Sequence, residues 1–287
     1  MSSETEKKDL CLHCGRHVLS LRYPQIMGII NLTDDSFSGD GLHGDTQRAI
    51  EHGLRMVEEG AHILDIGAES SRPGAAPVSA ALEEARILPV LEGLLHCGVP
   101  LSVDTAKPEV MQSALAIGVD MINDINALQA SGALELVAAS RAAVCLMHMQ
   151  GNPGIMQQAP HYVDVVSEVA EFLAQRVAAA EATGFGLERI VVDPGFGFGK
   201  TLEQNIALLR SLDELCVPGL PLMVGLSRKS MLGMLTGRAT GERVYASIAA
   251  AMLSVARGAN ILRVHDVAAT RDALAIWNTL ENSKNES

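Results

Sequence analysis

The sequence predicts an α/β fold in which eight strand–helix units close into a single (β/α)8 barrel, and three observations carry that expectation. Short β-rich runs alternate with longer stretches of helical period along the whole chain. Several runs are almost continuously apolar, as in parallel strands covered on both faces. Polar residues recur where the runs end, which is where a barrel of the TIM type assembles its active site. A doubly wound sheet is the main structural competitor, and eight units would be long for one.

The opening, residues 1–9, is polar and mixed in charge with no apolar signal region behind it. Residues 1–17 are expected to form a tail and the start of a hairpin, residues 18–282 the barrel, and residues 283–287 a C-terminal tail. Cys11-Leu-His-Cys14-Gly-Arg-His17 offers thiols and imidazoles to zinc, but a single CxxC favours a hairpin turning at Gly15. Strands are predicted over 26–32, 62–68, 100–104, 121–125, 143–147, 190–193, 222–226 and 260–264. Helices over 46–59, 80–95, 163–183, 202–212 and 245–257 are rich in Ala, Leu, Glu and Gln, and a further apolar helix covers 270–280.

At or just past the strand ends stand Asn31, Glu69, Asp104, Asn123, His148, Asp193, Ser227, Arg263 and His265. One such residue could merely cap the following helix; nearly every strand ending this way points to a shared polar site. The connections 33–45 and 70–78 exceed the roughly 2–6 residues usual between a strand and its helix.

Composition narrows the partners. Of the 287 residues, 48% are hydrophobic, so a large core is available. Lys and Arg number 22 against 34 Asp and Glu, a net charge of −12 that argues against a nucleic-acid backbone as partner. With one Trp, three Tyr and five Phe, a base-stacking platform is equally unexpected. Five cysteines, an odd number in a long chain, fit a reducing compartment. The absence of an apolar run of about 18 residues predicts no membrane span, hence a cytoplasmic protein.

Two glycine motifs fail on spacing. Gly195-Phe-Gly-Phe-Gly-Lys-Thr201 lacks the four residues a phosphate-binding loop needs between its glycines. Gly39-Asp-Gly41-Leu-His-Gly44 matches the dinucleotide fingerprint in letters but begins too far past its strand.

The blocks Met27-Gly-Ile-Ile-Asn31-Leu-Thr, Asp35-Ser-Phe-Ser38, Glu69-Ser-Ser-Arg72-Pro-Gly74 and Ser102-Val-Asp104-Thr follow one another in order. They continue as Ile122-Asn123-Asp-Ile, Cys145-Leu-Met147-His-Met-Gln-Gly151, Asp193-Pro-Gly-Phe-Gly-Phe198-Gly-Lys, Ser227-Arg-Lys229-Ser230 and Arg263-Val-His265-Asp. Together they resemble the dihydropteroate synthases over nearly the whole chain, from about residue 26 to 280. The resemblance implies a folate-pathway transferase that joins 6-hydroxymethyl-7,8-dihydropterin diphosphate to p-aminobenzoate, releasing pyrophosphate. Asp104, Asn123, Met147, Asp193, Lys229 and Arg263 are then expected to hold the pterin, and Asn31, Arg263 and His265 the pyrophosphate. Ser71, Arg72, Pro73, Phe198, Lys229 and Ser230 are expected around p-aminobenzoate, with Asp35, Ser36 and Phe37 on a mobile loop. Asp104, Lys229, Arg263 and His265 are the expected catalytic residues, Mg2+ the cofactor with Asn31 its ligand, and a carbocation the intermediate.

The chain departs from the family pattern at Asp34, usually Pro, at Ala68, usually Gly, and at Ser71, usually Thr; the order Gly39-Asp40-Gly41 is also unusual. No insertion interrupts Phe196-Gly-Phe198-Gly, so sulfonamide binding is expected. The resemblance also implies a homodimer built on the apolar C-terminal helices. Two alternatives stay open: a non-catalytic pterin-binding homologue, and a pterin-dependent corrinoid methyltransferase.

Overall fold

A computed structural model describes residues 10–33, 45–70, 77–151, 154, 156–157 and 159–285 of the chain. Eight parallel strands form one sheet: β3 (Gln25–Asn31), β4 (Ile63–Gly67), β5 (Leu101–Asp104), β6 (Met121–Asp124), β7 (Ala143–Met147), β8 (Ile190–Asp193), β9 (Met223–Val224) and β10 (Ile261–Val264). Each pairs with the next from β3 to β8, and β10 pairs with both β9 and β3. A bridge between Val192 and Leu222, with Val192 N donating to Pro221 O at 3.0 Å, closes the ring. The expected (β/α)8 barrel is thus the observed fold.

Because side chains alternate along a strand, each strand faces two environments. Ile26, Ile30, Leu64, Ile66, Val103, Ile122, Val144, Val192 and Leu262 belong to the core between barrel and helices. Met27, Ile63, Met121, Ala143, Cys145, Val191, Met223 and Ile261 fill the barrel's interior. That two-sided burial is why the strands read as continuous apolar runs. The surrounding helices are α1 (Thr46–Glu59), α2 (Ala80–Leu94), α3 (Pro108–Ile117), α4 (Ala133–Ala138), α5 (Val165–Ala182), α6 (Leu202–Arg210), α7 (Ser230–Thr236), α8 (Val244–Val255) and α9 (Val267–Asn285). Several starts carry side-chain caps, among them Asp45 on α1, Asp164 on α5 and a Thr201–Gln204 capping box on α6.

The hairpin precedes the barrel as β1 (Cys11–Cys14) and β2 (His17–Ser20), with Cys14 opposite His17. Leu12, Cys14 and Leu21 pack against the interior layer and plug the barrel's N-terminal end. Asp120, just before β6, anchors the plug. Its carboxylate accepts from Arg16 N (3.0 Å), Nε (3.1 Å) and Nη2 (3.0 Å) and from Leu101 N (3.1 Å), while its carbonyl takes the Cys14 thiol.

The boundaries move for local reasons. Strand β6 stops at Asp124, one residue early, because that carboxylate turns back to accept from Asn126 N (2.7 Å) and Leu128 N (2.8 Å). Strand β9 is two residues long rather than the expected five, since the chain turns as Lys229 N donates to Leu226 O. Helix α9 begins at Val267 rather than at residue 270. It runs to Asn285, into the segment expected to be a tail. No helix of the described residues is long and apolar enough to cross a membrane.

Candidate active site

Two residues above the interior apolar layer, the same inward alternation delivers polar side chains. Asp65 follows Ile63 on β4, Asn123 follows Met121 on β6, and Arg263 follows Ile261 on β10. They meet inside the barrel. Asp65 Oδ2 accepts from Arg263 Nε at 2.6 Å and from Asn123 Nδ2 at 3.0 Å; Arg263 Nη2 donates to Asp104 Oδ2 at 2.7 Å. Gly67 makes room for this array: a Cβ there would stand 3.2 Å from that of Asp104. Burial pushes the Asp104 carboxyl up to about 7, Arg263 pulls it down, and Asp65, Glu83 and Asp124 push it up again. Against the desolvation that burial imposes, Asp65 and Asp104 hold the Arg263 guanidinium firmly in its charged form.

The segment after β8 supplies a second group. Asp193 Oδ1 accepts the Gly195 N–H at 2.7 Å. Burial raises this carboxyl, and Lys229, the Gly195 N–H, Arg263 and Lys200 oppose the rise. Gly195 has φ 67°, and a Cβ there would collide with the carbonyl oxygen of His148, so the motif needs glycine at this point. Lys200 is buried and staples the turn. Its Nζ donates to the carbonyls of Gly195 (2.9 Å), Phe198 (3.0 Å) and His148 (3.3 Å), and lies 2.9 Å from His148 Nδ1. Burial lowers Lys200 to about 7, and burial together with Lys200 lowers His148 to about 3, so the imidazole is a neutral acceptor. Asn205 completes the staple, its Oδ1 taking the Gly197 N–H at 2.7 Å.

Lys229 ends the turn after β9. Its ammonium donates to Phe196 O and lies 4.6 Å from the centroid of the Phe198 ring. Burial pushes it down to about 8, with Asp193 opposing. The neighbouring Arg228 is held at φ 58° by two bonds to Asp266 (3.1 and 2.6 Å), one from its N–H to Ser247 Oγ (2.9 Å), and one from Arg243 to its carbonyl (2.9 Å). On the next strand the N–H of His265 donates to Ser227 Oγ at 3.2 Å, while its Nδ1 lies 3.0 Å from the same oxygen. If the serine hydroxyl donates to Nδ1, the ring proton sits on Nε2, a tautomer assigned from the network.

A cavity of about 470 Å3 opens above these groups. Of the expected residues, Asn31, Asp104, Phe198, Lys229, Ser230, Arg263 and His265 line it, together with Glu69, Ser227, Arg228 and Arg243. Asn123, Met147 and Asp193 are off its wall, buried in the barrel interior with Met147 in register with Asp193. Asp35, Ser36, Phe37, Ser71, Arg72 and Pro73 lie outside the described residues. Two connections escape sequence reading. Asp65 is visible only as the lone charge in the run 62–68, and Lys200 only as the end of a failed phosphate-loop motif. Glu69, already named at a strand end, is bonded by Val78 N (2.9 Å) and by Lys107 (2.5 Å), which also reaches the buried Glu83 at 2.5 Å.

Among the described residues, no group of three or more His, Cys, Asp or Glu could hold a metal ion. The wall includes the carboxamide of Asn31 at the end of β3, a neutral oxygen donor. Such a donor suits a hard cation that keeps water and takes its remaining ligands from a substrate's phosphates, which is the habit of Mg2+.

Residues 27–265 match the family model described as pterin binding enzyme. A dihydropteroate synthase of Neisseria meningitidis serogroup B is 52% identical over 273 residues, covering 93% of this chain and 96% of that protein. The Burkholderia cenocepacia dihydropteroate synthase complexed with 7,8-dihydropteroate superposes with a TM-score of 0.88 at 45% identity, over 96% of this chain and 98% of that one. The Yersinia pestis dihydropteroate synthase with a sulfonamide drug gives 0.92 at 44% identity, over 95% and 99%. The chain belongs to the pterin binding enzymes and, among them, to the dihydropteroate synthases.

Proposed function

We propose that the cavity at the C-terminal end of the barrel condenses 6-hydroxymethyl-7,8-dihydropterin diphosphate with p-aminobenzoate to 7,8-dihydropteroate and pyrophosphate. The observation that carries this reading is the charge layout: Asp104 on the cavity wall and the buried Asn123 and Asp193 behind it meet the cations Lys229 and Arg263 and the imidazole of His265. A pterin presents adjacent N–H donors on its guanidine-like edge, and a carboxylate such as Asp193 accepts two at once. Asn123 both donates and accepts, which suits the mixed remainder of that edge, and Met147 packs behind the cavity wall. Lys229 serves the pterin carbonyl.

Arg263 on β10 and His265, one residue past its end, stand two residues apart and hold the departing pyrophosphate. Asn31 would hold Mg2+, which, when bound, neutralises charge on phosphate oxygens. The ionised Asp104 stabilises the cation left on the pterin as the diphosphate departs, and the arylamine, uncharged at neutral pH, captures it. This is electrostatic preorganisation with no protein nucleophile. Phe198 and Ser230 flank p-aminobenzoate, joined by Ser71, Arg72 and Pro73, while Asp35, Ser36 and Phe37 cover the pair. Sulfonamides take the p-aminobenzoate place; a titration in which drug and p-aminobenzoate bind without competition would reject that.

The exposed apolar residues Tyr245 and Leu253 on α8, with Ile276 and Leu280 on α9, support a homodimer through this face. Light scattering that finds only a 30.4 kDa species at every concentration would reject it. The test of the reaction is pyrophosphate release with and without p-aminobenzoate, on wild type and Asp193→Asn. Removing the charge from a doubly bonded carboxylate costs about 3 kcal/mol, so kcat/KM should fall roughly a hundredfold. Release that ignores p-aminobenzoate, or a variant equal to wild type, overturns the reading.

A further inference from the structure

Asp65 is a costly group to bury. Its side chain is fully buried, and one oxygen, Oδ2, serves both Arg263 Nε and Asn123 Nδ2. The other, Oδ1, finds no hydrogen-bond partner among the described residues; neither does the buried hydroxyl of Ser102, its register neighbour on β5. Two carboxylates, Asp65 and Asp104, surround one guanidinium. As a source of stability this is a poor arrangement, because desolvating an ion triad offsets most of its attraction and an apolar layer would pack as well. What the arrangement does supply is direction. Arg263 sits on the last strand and Asn123 on the fourth of the ring, and a single fixed oxygen between them sets the torsions of both.

We propose that Asp65 is a positioning residue for the reaction: from beneath the cavity it orients the guanidinium that meets the diphosphate and the amide that meets the pterin edge. The proposal rests on the functional reading above. Because one carboxylate serves both groups, it couples them: a pterin seated on Asn123 and a diphosphate seated on Arg263 share one anchor. Asp65 also adds negative charge beside Asp104, opposing ionisation there, along with Glu83 and Asp124 and against Arg263.

Steady-state kinetics of Asp65→Asn, Arg263→Ala and the double variant test this. A misplacement of about 1 Å at a reacting group costs about a hundredfold, so Asp65→Asn should lower kcat/KM for the pterin diphosphate by about that factor. At saturating pterin diphosphate the KM for p-aminobenzoate should stay within about twofold of wild type. In the Arg263→Ala background the Asp65 substitution should cost about tenfold rather than a hundredfold, the part that acts through Asn123 remaining. The acid limb of the kcat/KM profile should move to lower pH in Asp65→Asn, which a loss of packing would not cause. Full additivity, an unmoved limb, or kcat/KM within about twofold of wild type would overturn the proposal. Should Asp65→Asn not fold, Asp65→Ser, which leaves room for water, takes its place. If neither variant folds, Asp65 is a structural element and the proposal fails. Wild type that forms no dihydropteroate sinks the functional reading first, and separately.

Discussion

Replacing Lys200 with methionine isolates the staple beneath the glycine turn. The ammonium makes bonds to three carbonyls and to His148 Nδ1, and charge-assisted bonds contribute about 2 kcal/mol each. Against this stands the cost of burial, which lowers the amine from near 10.5 to about 7. At about 1.4 kcal/mol per pH unit that cost is roughly 5 kcal/mol, leaving a net contribution of about 1–3 kcal/mol at neutral pH. The sign of the pH dependence follows from linkage. Between about pH 7 and 10 the unfolded chain holds this proton and the native chain does not, so wild type gains stability as pH rises. Lys200→Met cannot share that gain. Urea denaturation at pH 7.5 and pH 9 should show the stability difference between wild type and variant widening by about 2 kcal/mol. A difference that is the same at both pH values would refute the buried-amine account. The variant should also lose activity, because the carbonyls it releases fix the turn carrying Phe198.

Two further outcomes follow from the same geometry. Asp104 works as an anion and is held near 7, Lys229 as a cation near 8, so kcat/KM should fall both below about pH 7 and above about pH 8; a flat profile from pH 6 to 9 would contradict the roles given to both. Asp120→Ala, at the barrel's opposite end, leaves the half-exposed Arg16 and the buried Leu101 N without their acceptor and should cost about 1–3 kcal/mol in denaturant unfolding, with kcat unchanged in the folded fraction.

Much of the barrel is legible in the sequence because burial on both faces writes itself as apolar runs, and the ends of those runs name Asn31, Asp104, Asp193 and Arg263 directly. Length and register are less visible. Strand β9 keeps two of its five expected residues, since the turn at Leu226 to Lys229 depends on Ser247 and Arg243 far along the chain. Asp65 can be seen as an intruder in an apolar strand, but its partner Arg263 is 198 residues away, and only pairing across β3 brings β4 and β10 together. The motif from Gly195 to Thr201 shows in the sequence only that its spacing does not fit a phosphate loop. Its real task, gripping the carbonyls of its own turn, becomes apparent only once three positive φ values curl that turn around the amine.

The barrel's ring is completed by its first and last strands, and that order of assembly has a consequence for synthesis. Asn31 leaves the ribosome early; Arg263, opposite Met27 in the β3–β10 pairing, and His265 beyond it come more than two hundred residues later. A nascent or prematurely ended chain therefore lacks the closing strand and the cationic wall together. Ligands stabilise only the state that binds them. On the proposed reading, substrate should protect the full-length chain from proteolysis more than a fragment ending before β10, because such a fragment lacks Arg263 and His265.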